Sequence, residues 1–222
     1  MTAILFGSIG TLADTSELQR EAFNAAFKQH GLDWEWSQVE YQELLSESGG
    51  AGRIATYAES RGPAVDAAAV HATKSEIFQR RLREGGIEPR PEVAATIEAA
   101  RAQGVKLALV TTTSADNIAA LGEALAPAVD LSSFDLILDT SDAEAPKPAA
   151  DIYTVALERL GEAPGDVLAI EDNVGGVKSA VTAGLHCIAF PGENNVHHDF
   201  SAASRRVDRL TPGDLPLLSA SL

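Results

Sequence analysis

Five short, almost continuously apolar runs stand out along the chain: Ala3–Phe6, Lys106–Thr111, Phe134–Leu138, Asp166–Glu171 and His186–Phe190. Each is bounded by turn or helix-start residues. Apolar character on successive rather than alternate positions marks a strand with both faces buried, as in a parallel sheet covered by helices. Between the later runs the apolar period lengthens to that of a helix. Ile118 and Leu121 follow the second run, Ile152, Val155, Ala156 and Leu160 precede the fourth, and Val177, Ala180 and Val181 follow it. The alternation predicts βαβ units and hence an α/β fold on a doubly wound, parallel, five-stranded sheet.

From residue 14 to residue 86 the pattern is helical, without a convincing strand. Leu18, Ala22, Phe23, Ala26 and Phe27 share one face of the first helix, and Ser16 with Gln19 has the spacing of a capping box that would start it. Gly31, Gly49-Gly50, Gly52 and Gly62-Pro63 mark expected turns, and Glu88-Pro89-Arg90-Pro91 reads as a stiff return linker. The expected organisation is an α/β core made of residues 1–13 and 87–222, carrying an inserted α-helical cap domain over residues 14–86.

Composition narrows the function classes. The chain has 222 residues, 45% apolar and 22% charged, which suits a folded protein. A net charge of −15 repels polyanions, so nucleic acid is a poor partner. No apolar run reaches the ~18 residues of a membrane span, and the N-terminus lacks a basic start and runs into Asp14 and Glu17, unlike a signal peptide. Cys187 stands alone, which excludes an internal disulfide and suits a reducing compartment; the expected location is cytoplasmic. Within its apolar strand Cys187 reads as a buried, inert thiol. His197-His198-Asp199 is a weak metal candidate for want of a spaced partner. Trp34 and Trp36 read as packing residues of the helical segment.

Four ordered motifs then carry a resemblance. Phe6-Gly7-Ser8-Ile9-Gly10-Thr11-Leu12-Ala13-Asp14 follows the first strand, Thr111-Thr112-Thr113-Ser114 ends the second, Lys147-Pro148 precedes a helix, and Glu171-Asp172-Asn173 ends the fourth strand before Gly175-Gly176. The set resembles the haloacid dehalogenase-like (HAD) superfamily, whose phosphatases place such motifs at the carboxyl ends of parallel strands. Gly31-Leu32-Asp33-Trp34-Glu35-Trp36, Gly49-Gly50-x-x-Arg53-Ile54 and Asp199-Phe200-Ser201 resemble its helical-cap group, the β-phosphoglucomutases and the CbbY-type sugar-bisphosphate phosphatases. The resemblance covers nearly the whole chain.

The departure from the family pattern falls on its chemistry. Where the resemblance places the aspartate nucleophile stands Gly7, and where it places the acid/base aspartate stands Ile9. Neither side chain attacks phosphorus or moves a proton, and such losses cost ~10²–10⁴ in rate for the acid/base and up to ~10⁶ for a nucleophile acting within a unit. Ser8, one step along the strand end, is expected to point elsewhere.

The resemblance implies phosphate contacts from Thr111, Thr112 and Lys147, cap contacts to substrate from Arg53 and Lys74, and magnesium-side carboxylates at Glu171 and Asp172. Residue chemistry leaves blander roles open for each: strand propensity for Thr111, solvated surface for the basic groups, helix-dipole stabilisation for the acids. Gln19 is assigned to the capping box, and Asp14 to either a helix cap or a junction between core and cap. Without the two loop carboxylates, Glu171, Asp172 and Lys147 reach the formal charge of an intact magnesium site with no metal. No cofactor is therefore required, and Mg²⁺ is expected to bind weakly or not at all.

The leading expectation is a catalytically impaired relative that binds a small phosphorylated sugar as a binding or regulatory module. The alternative is an active phosphatase or phosphomutase-like hydrolase with a non-standard nucleophile such as water. A third reading is a subunit that pairs with an active paralogue.

Overall fold

The computed structural model describes residues 1–45, 49–61 and 64–214. Strands β1 (Ala3–Phe6), β2 (Lys106–Val110), β3 (Leu136–Leu138), β4 (Val167–Glu171), β5 (His186–Ala189) and β6 (Arg205–Arg206) form one sheet in the order β3-β2-β1-β4-β5-β6. All its pairings are parallel. The sheet thus has six strands rather than the expected five. Two exposed arginines form β6, and they carry no apolar signal. Strand β3 also starts later than expected, because the Asp135 carboxylate accepts from Leu107 N at 2.8 Å and interrupts the regular ladder.

Successive strand residues face opposite sides, giving two apolar layers. On one side Ala3, Leu5, Ala108, Val110, Ala169 and Cys187 meet Ile152, Tyr153 and Ala156 of α8 (Asp151–Leu160) and Val177 and Ala180 of α9 (Val174–Thr182). The small alanines let these helices come close to the strands. On the other side Ile4, Phe6, Leu107, Leu109, Ile170 and Ile188 pack in one continuous cluster with α6 (Val93–Ala102), α7 (Ala115–Leu125) and the helices that lie between β1 and α6. Those are α1 (Ile9–Leu12), α2 (Ser16–Gln29), α3 (Gln38–Leu44), α4 (Gly50–Glu59) and α5 (Ala67–Glu84). Trp36 is fully buried among them, its ring 4.7 Å from that of Phe27 and 4.8 Å from that of Phe23. Trp34 packs edge-on against Phe27 and Tyr57, so both tryptophans are packing residues.

Several local expectations are corrected. No capping box joins Ser16 and Gln19. The Asp14 carboxylate instead accepts from Ser16 N and, through its other oxygen, from Glu193 N at 2.7 Å, so it both turns the chain into α2 and ties it to the far strand end. Gly49 is a turn with φ +97°, but Gly50 and Gly52 lie inside α4. A β-carbon at Gly50 would stand 2.4 Å from His71 Nε2, so the imidazole could keep its place only against glycine. The turn expected at Gly62-Pro63 lies outside the described residues. The return linker is stapled as well as stiff: Arg90 donates to Gly10 O, Phe190 O and Pro191 O, and its guanidinium lies 3.2 Å from the Phe190 ring centre. Among the described residues no helix is long and apolar enough to cross a membrane.

Candidate functional site

Parallel strands in register bring their carboxyl ends together, and β2, β1 and β4 are neighbours. Gly7, Thr111 and Glu171 therefore converge, as the spacing in sequence requires. Opposite them stand α2, α4 and α5, and the two sides enclose a cavity of about 660 Å³. That volume falls in the usual range for small-molecule sites, ~300–1,000 Å³.

The sheet side is built around Lys147. Its ammonium donates to Gly7 O, to Val110 O at 2.7 Å and to Glu171 Oε1 at 2.7 Å. Those bonds match the three hydrogens of the group, and Lys147 also lines the cavity. Glu171 is fully buried, and Oε1 also accepts from the Tyr153 hydroxyl at 2.7 Å. Burial pushes the Glu171 carboxyl up from its ordinary range while the Lys147 ammonium pulls it down; burial and the neighbouring carboxylate push the Tyr153 phenol well up.

This network fills the space beside Gly7, the position where the resemblance places an aspartate. A β-carbon at Gly7 would lie 2.2 Å from both Glu171 Oε1 and the Tyr153 hydroxyl, far inside any real contact. Gly176 closes the other side, with a β-carbon position 2.1 Å from Glu171 Oε2. Ile9 is buried in the apolar cluster. Ser8 is a correction: it lines the cavity, and its hydroxyl donates to Asp172 Oδ1 at 2.6 Å. The loop leaves the strand at Gly7 and enters α1, so strand alternation does not govern Ser8.

Beside them Thr111 accepts from Thr113 N at 3.2 Å, and Ser114 caps α7 by accepting from Asn117 N. Asn117 donates to Thr113 Oγ1 at 2.7 Å and accepts from Gln79 of α5 at 3.0 Å, a bridge across the cavity wall. Thr111 and Thr112 line the cavity.

The helix side holds Arg53 and Lys74, both in the cavity wall. Lys74 is only 3% exposed, donates to Gln19 Oε1 at 2.9 Å, and lies 4.8 Å from the ring centres of Phe23 and Phe78. Burial first, and then the Arg53 charge, bring its ammonium down to about 7. His71 is held down to about 4 by burial and by the Lys74 and Arg53 charges. Arg53 donates to Leu44 O at 2.8 Å, with its guanidinium 5.8 Å from the Tyr41 ring centre. Sequence reasoning assigned Gln19 to a capping box and turned Ser8 away from the site, and it did not single out His71 or Tyr153. The Gln19 and Lys74 spacing along α2 and α5 becomes meaningful only once the two helices are packed together.

The donor set does not fit a divalent cation. Of the two carboxylates expected on the metal side, Asp172 lines the cavity, while Glu171 is sealed behind Lys147 and Tyr153. Among the described residues no group of three His, Cys, Asp or Glu side chains converges. His198 contacts Gln42 O at 2.9 Å rather than joining its neighbours. Cys187 is buried, its thiol pushed up by desolvation.

A family model described as haloacid dehalogenase-like hydrolase matches residues 1–184. Protein CbbY of Cereibacter sphaeroides is 41% identical over 209 residues, covering 93% of this chain and 91% of its own. The crystal structure of CbbY from Rhodobacter sphaeroides in complex with phosphate superposes with a TM-score of 0.87 at 40% identity, covering 94% of each chain. A mutant of that protein in complex with xylulose-(1,5)bisphosphate matches equally, with a TM-score of 0.87 and 94% of each chain covered.

Proposed function

The chain belongs to the haloacid dehalogenase-like hydrolase family, close to the CbbY proteins, and from that membership we propose that it holds a small phosphorylated sugar without hydrolysing it, as a binding or regulatory relative. In this reading residues 14–86 are a cap over a core of residues 1–13 and 87–222, and the ligand lies between them in a cytoplasmic protein. Arg53 and Lys74 contact it from the cap, Thr111 and Thr112 from the sheet, and Lys147 holds the floor. No cofactor is needed. One observation carries the reading: the space for an attacking carboxylate at Gly7 is filled by Glu171 and Tyr153.

The unmodified chain is expected to release no phosphate from a panel of phosphomonoesters, with or without Mg²⁺. Inorganic phosphate and sugar phosphates are expected to raise its melting temperature, because a ligand of the native state stabilises it. Turnover at any rate above buffer, or no stabilisation by any phosphate compound, overturns the proposal.

A second reading rests on Ser8. Its hydroxyl donates to Asp172 at 2.6 Å in the cavity wall, the arrangement of a hydroxyl beside a general base, so an active hydrolase with a non-standard nucleophile has a place to start. That reading requires activity that Ser8→Ala abolishes, or phosphate found on Ser8 by mass spectrometry after incubation with substrate.

A further inference from the structure

After β5 the chain makes a short turn, Glu193–Asn195, that packs on α2 and α3. Two neighbouring asparagines in it are used differently. Asn194, 2% exposed, spends its amide on the fold: Oδ1 accepts from Gln38 at 3.1 Å and from Gln42 at 3.2 Å, and Nδ2 donates to Ser16 Oγ at 3.2 Å. Asn195 is 4% exposed and lines the cavity, yet its buried Oδ1 has no hydrogen-bond partner among the described residues. Its backbone is fixed, since Asn195 N donates to Gly192 O and Asn195 O accepts from His198 N, both at 3.0 Å. Asp14 holds the same turn by accepting from Glu193 N at 2.7 Å. A buried acceptor left unpaired is costly, and one held rigidly at a cavity wall is satisfied by what enters the cavity.

The chemistry of the amide restricts what it can meet. Phosphate oxygens at neutral pH are chiefly acceptors, so they pair with an amide N–H but leave Oδ1 facing another acceptor. A hydroxyl both donates and accepts, and it can satisfy either end of the amide. We propose that Asn195 is a specificity-determining residue, binding a hydroxyl on the carbon chain of the ligand, so that the cavity prefers polyhydroxylated phosphate esters to plain alkyl ones. This inference rests on the proposed binding function and deepens it. A site built to bond a hydroxyl rejects the analogue that lacks one, because its own buried polar atom is then left unpaired.

The test is calorimetric titration of the full chain at neutral pH with fructose 6-phosphate, ribose 5-phosphate and hexyl phosphate, which share a phosphomonoester and differ in their hydroxyls. The tighter of the two sugar phosphates is expected to bind at least about tenfold more tightly than hexyl phosphate. Asn195→Leu, close in shape but without a hydrogen-bonding group, is expected to narrow that ratio by about tenfold while keeping hexyl phosphate within about twofold of wild type. Asn195→Ala, which adds no bulk, repeats the comparison and separates loss of the amide from misfit of the leucine. A wild type that does not prefer the sugar phosphate overturns the inference and leaves the binding function standing. So does a ratio that both variants leave unchanged, as when water alone pairs with Oδ1, or an equal weakening of all three compounds. Absence of binding by all three compounds overturns the binding function as well.

Discussion

At the scale of single residues, Lys74 and Gly7 give the sharpest consequences. Lys74 keeps its proton only up to about 7 in the folded chain, against an ordinary value of 10.5, first because it is buried against Gln19, Phe23 and Phe78 and then because the Arg53 charge repels it. The unfolded chain therefore binds the extra proton between these values, and stability rises with pH across that window. Urea unfolding at pH 7 and at about pH 9.5 is expected to show wild type gaining on Lys74→Met as pH rises. A difference that stays flat would remove the buried-amine account. An anion beside Lys74 favours the protonated form, so phosphate affinity is expected to fall as pH rises through about 7. At Gly7, substitution by Asp places a β-carbon 2.2 Å from two oxygens. Gly7→Asp alone is expected to destabilise by at least ~1–3 kcal/mol, and Gly7→Asp with Ile9→Asp to remain inactive, as seen by thermal melts and a phosphatase assay. Adding Tyr153→Phe removes one of the two clashing atoms and is expected to recover part of the lost stability.

At the scale of elements, α9 begins where Asn173 accepts from Gly176 N at 2.8 Å, directly after Asp172. Asn173→Ala is expected to cost about 1 kcal/mol by denaturant unfolding. It is also expected to loosen Asp172, which loses the amide donor at 2.9 Å. The strands were legible because both faces are buried, which makes β1, β2, β4 and β5 read as apolar runs; β6 was not, since two exposed arginines pair only through backbone. The first inserted helix was legible by its face of Leu18, Ala22, Phe23, Ala26 and Phe27, yet its start was misassigned. Asp14, outside the helix, accepts from both the amide and the hydroxyl of Ser16, and the Gln19 backbone amide bonds to Thr15 O. That releases Gln19 to meet Lys74, a pairing between α2 and α5 that no local spacing encodes. The site motifs were found in order, but the bonding of Lys147 depends on three oxygens, from Gly7 just after β1, from β2 and from β4, and is visible only in the fold.

At the scale of the whole molecule, one apolar cluster runs from the sheet face through the inserted helices, and Arg90 pins the chain where it returns. Replacing Arg90 by Met would leave Gly10 O, Phe190 O and Pro191 O without this donor in a buried place. At ~1–3 kcal/mol for each stranded carbonyl, the loss is expected to exceed ~3 kcal/mol, a large part of a typical domain's stability. A single unfolding transition with a lowered midpoint is the expected record; an unchanged midpoint would assign Arg90 no structural role. The filled space at Gly7 also constrains what the chain can accept there. Side chains from β4 and α8 occupy it, so a carboxylate can be seated at position 7 only if Tyr153 is trimmed or Glu171 turns away. Either change gives up part of the packing that holds Lys147, and any gain at position 7 comes coupled to a loss beside it.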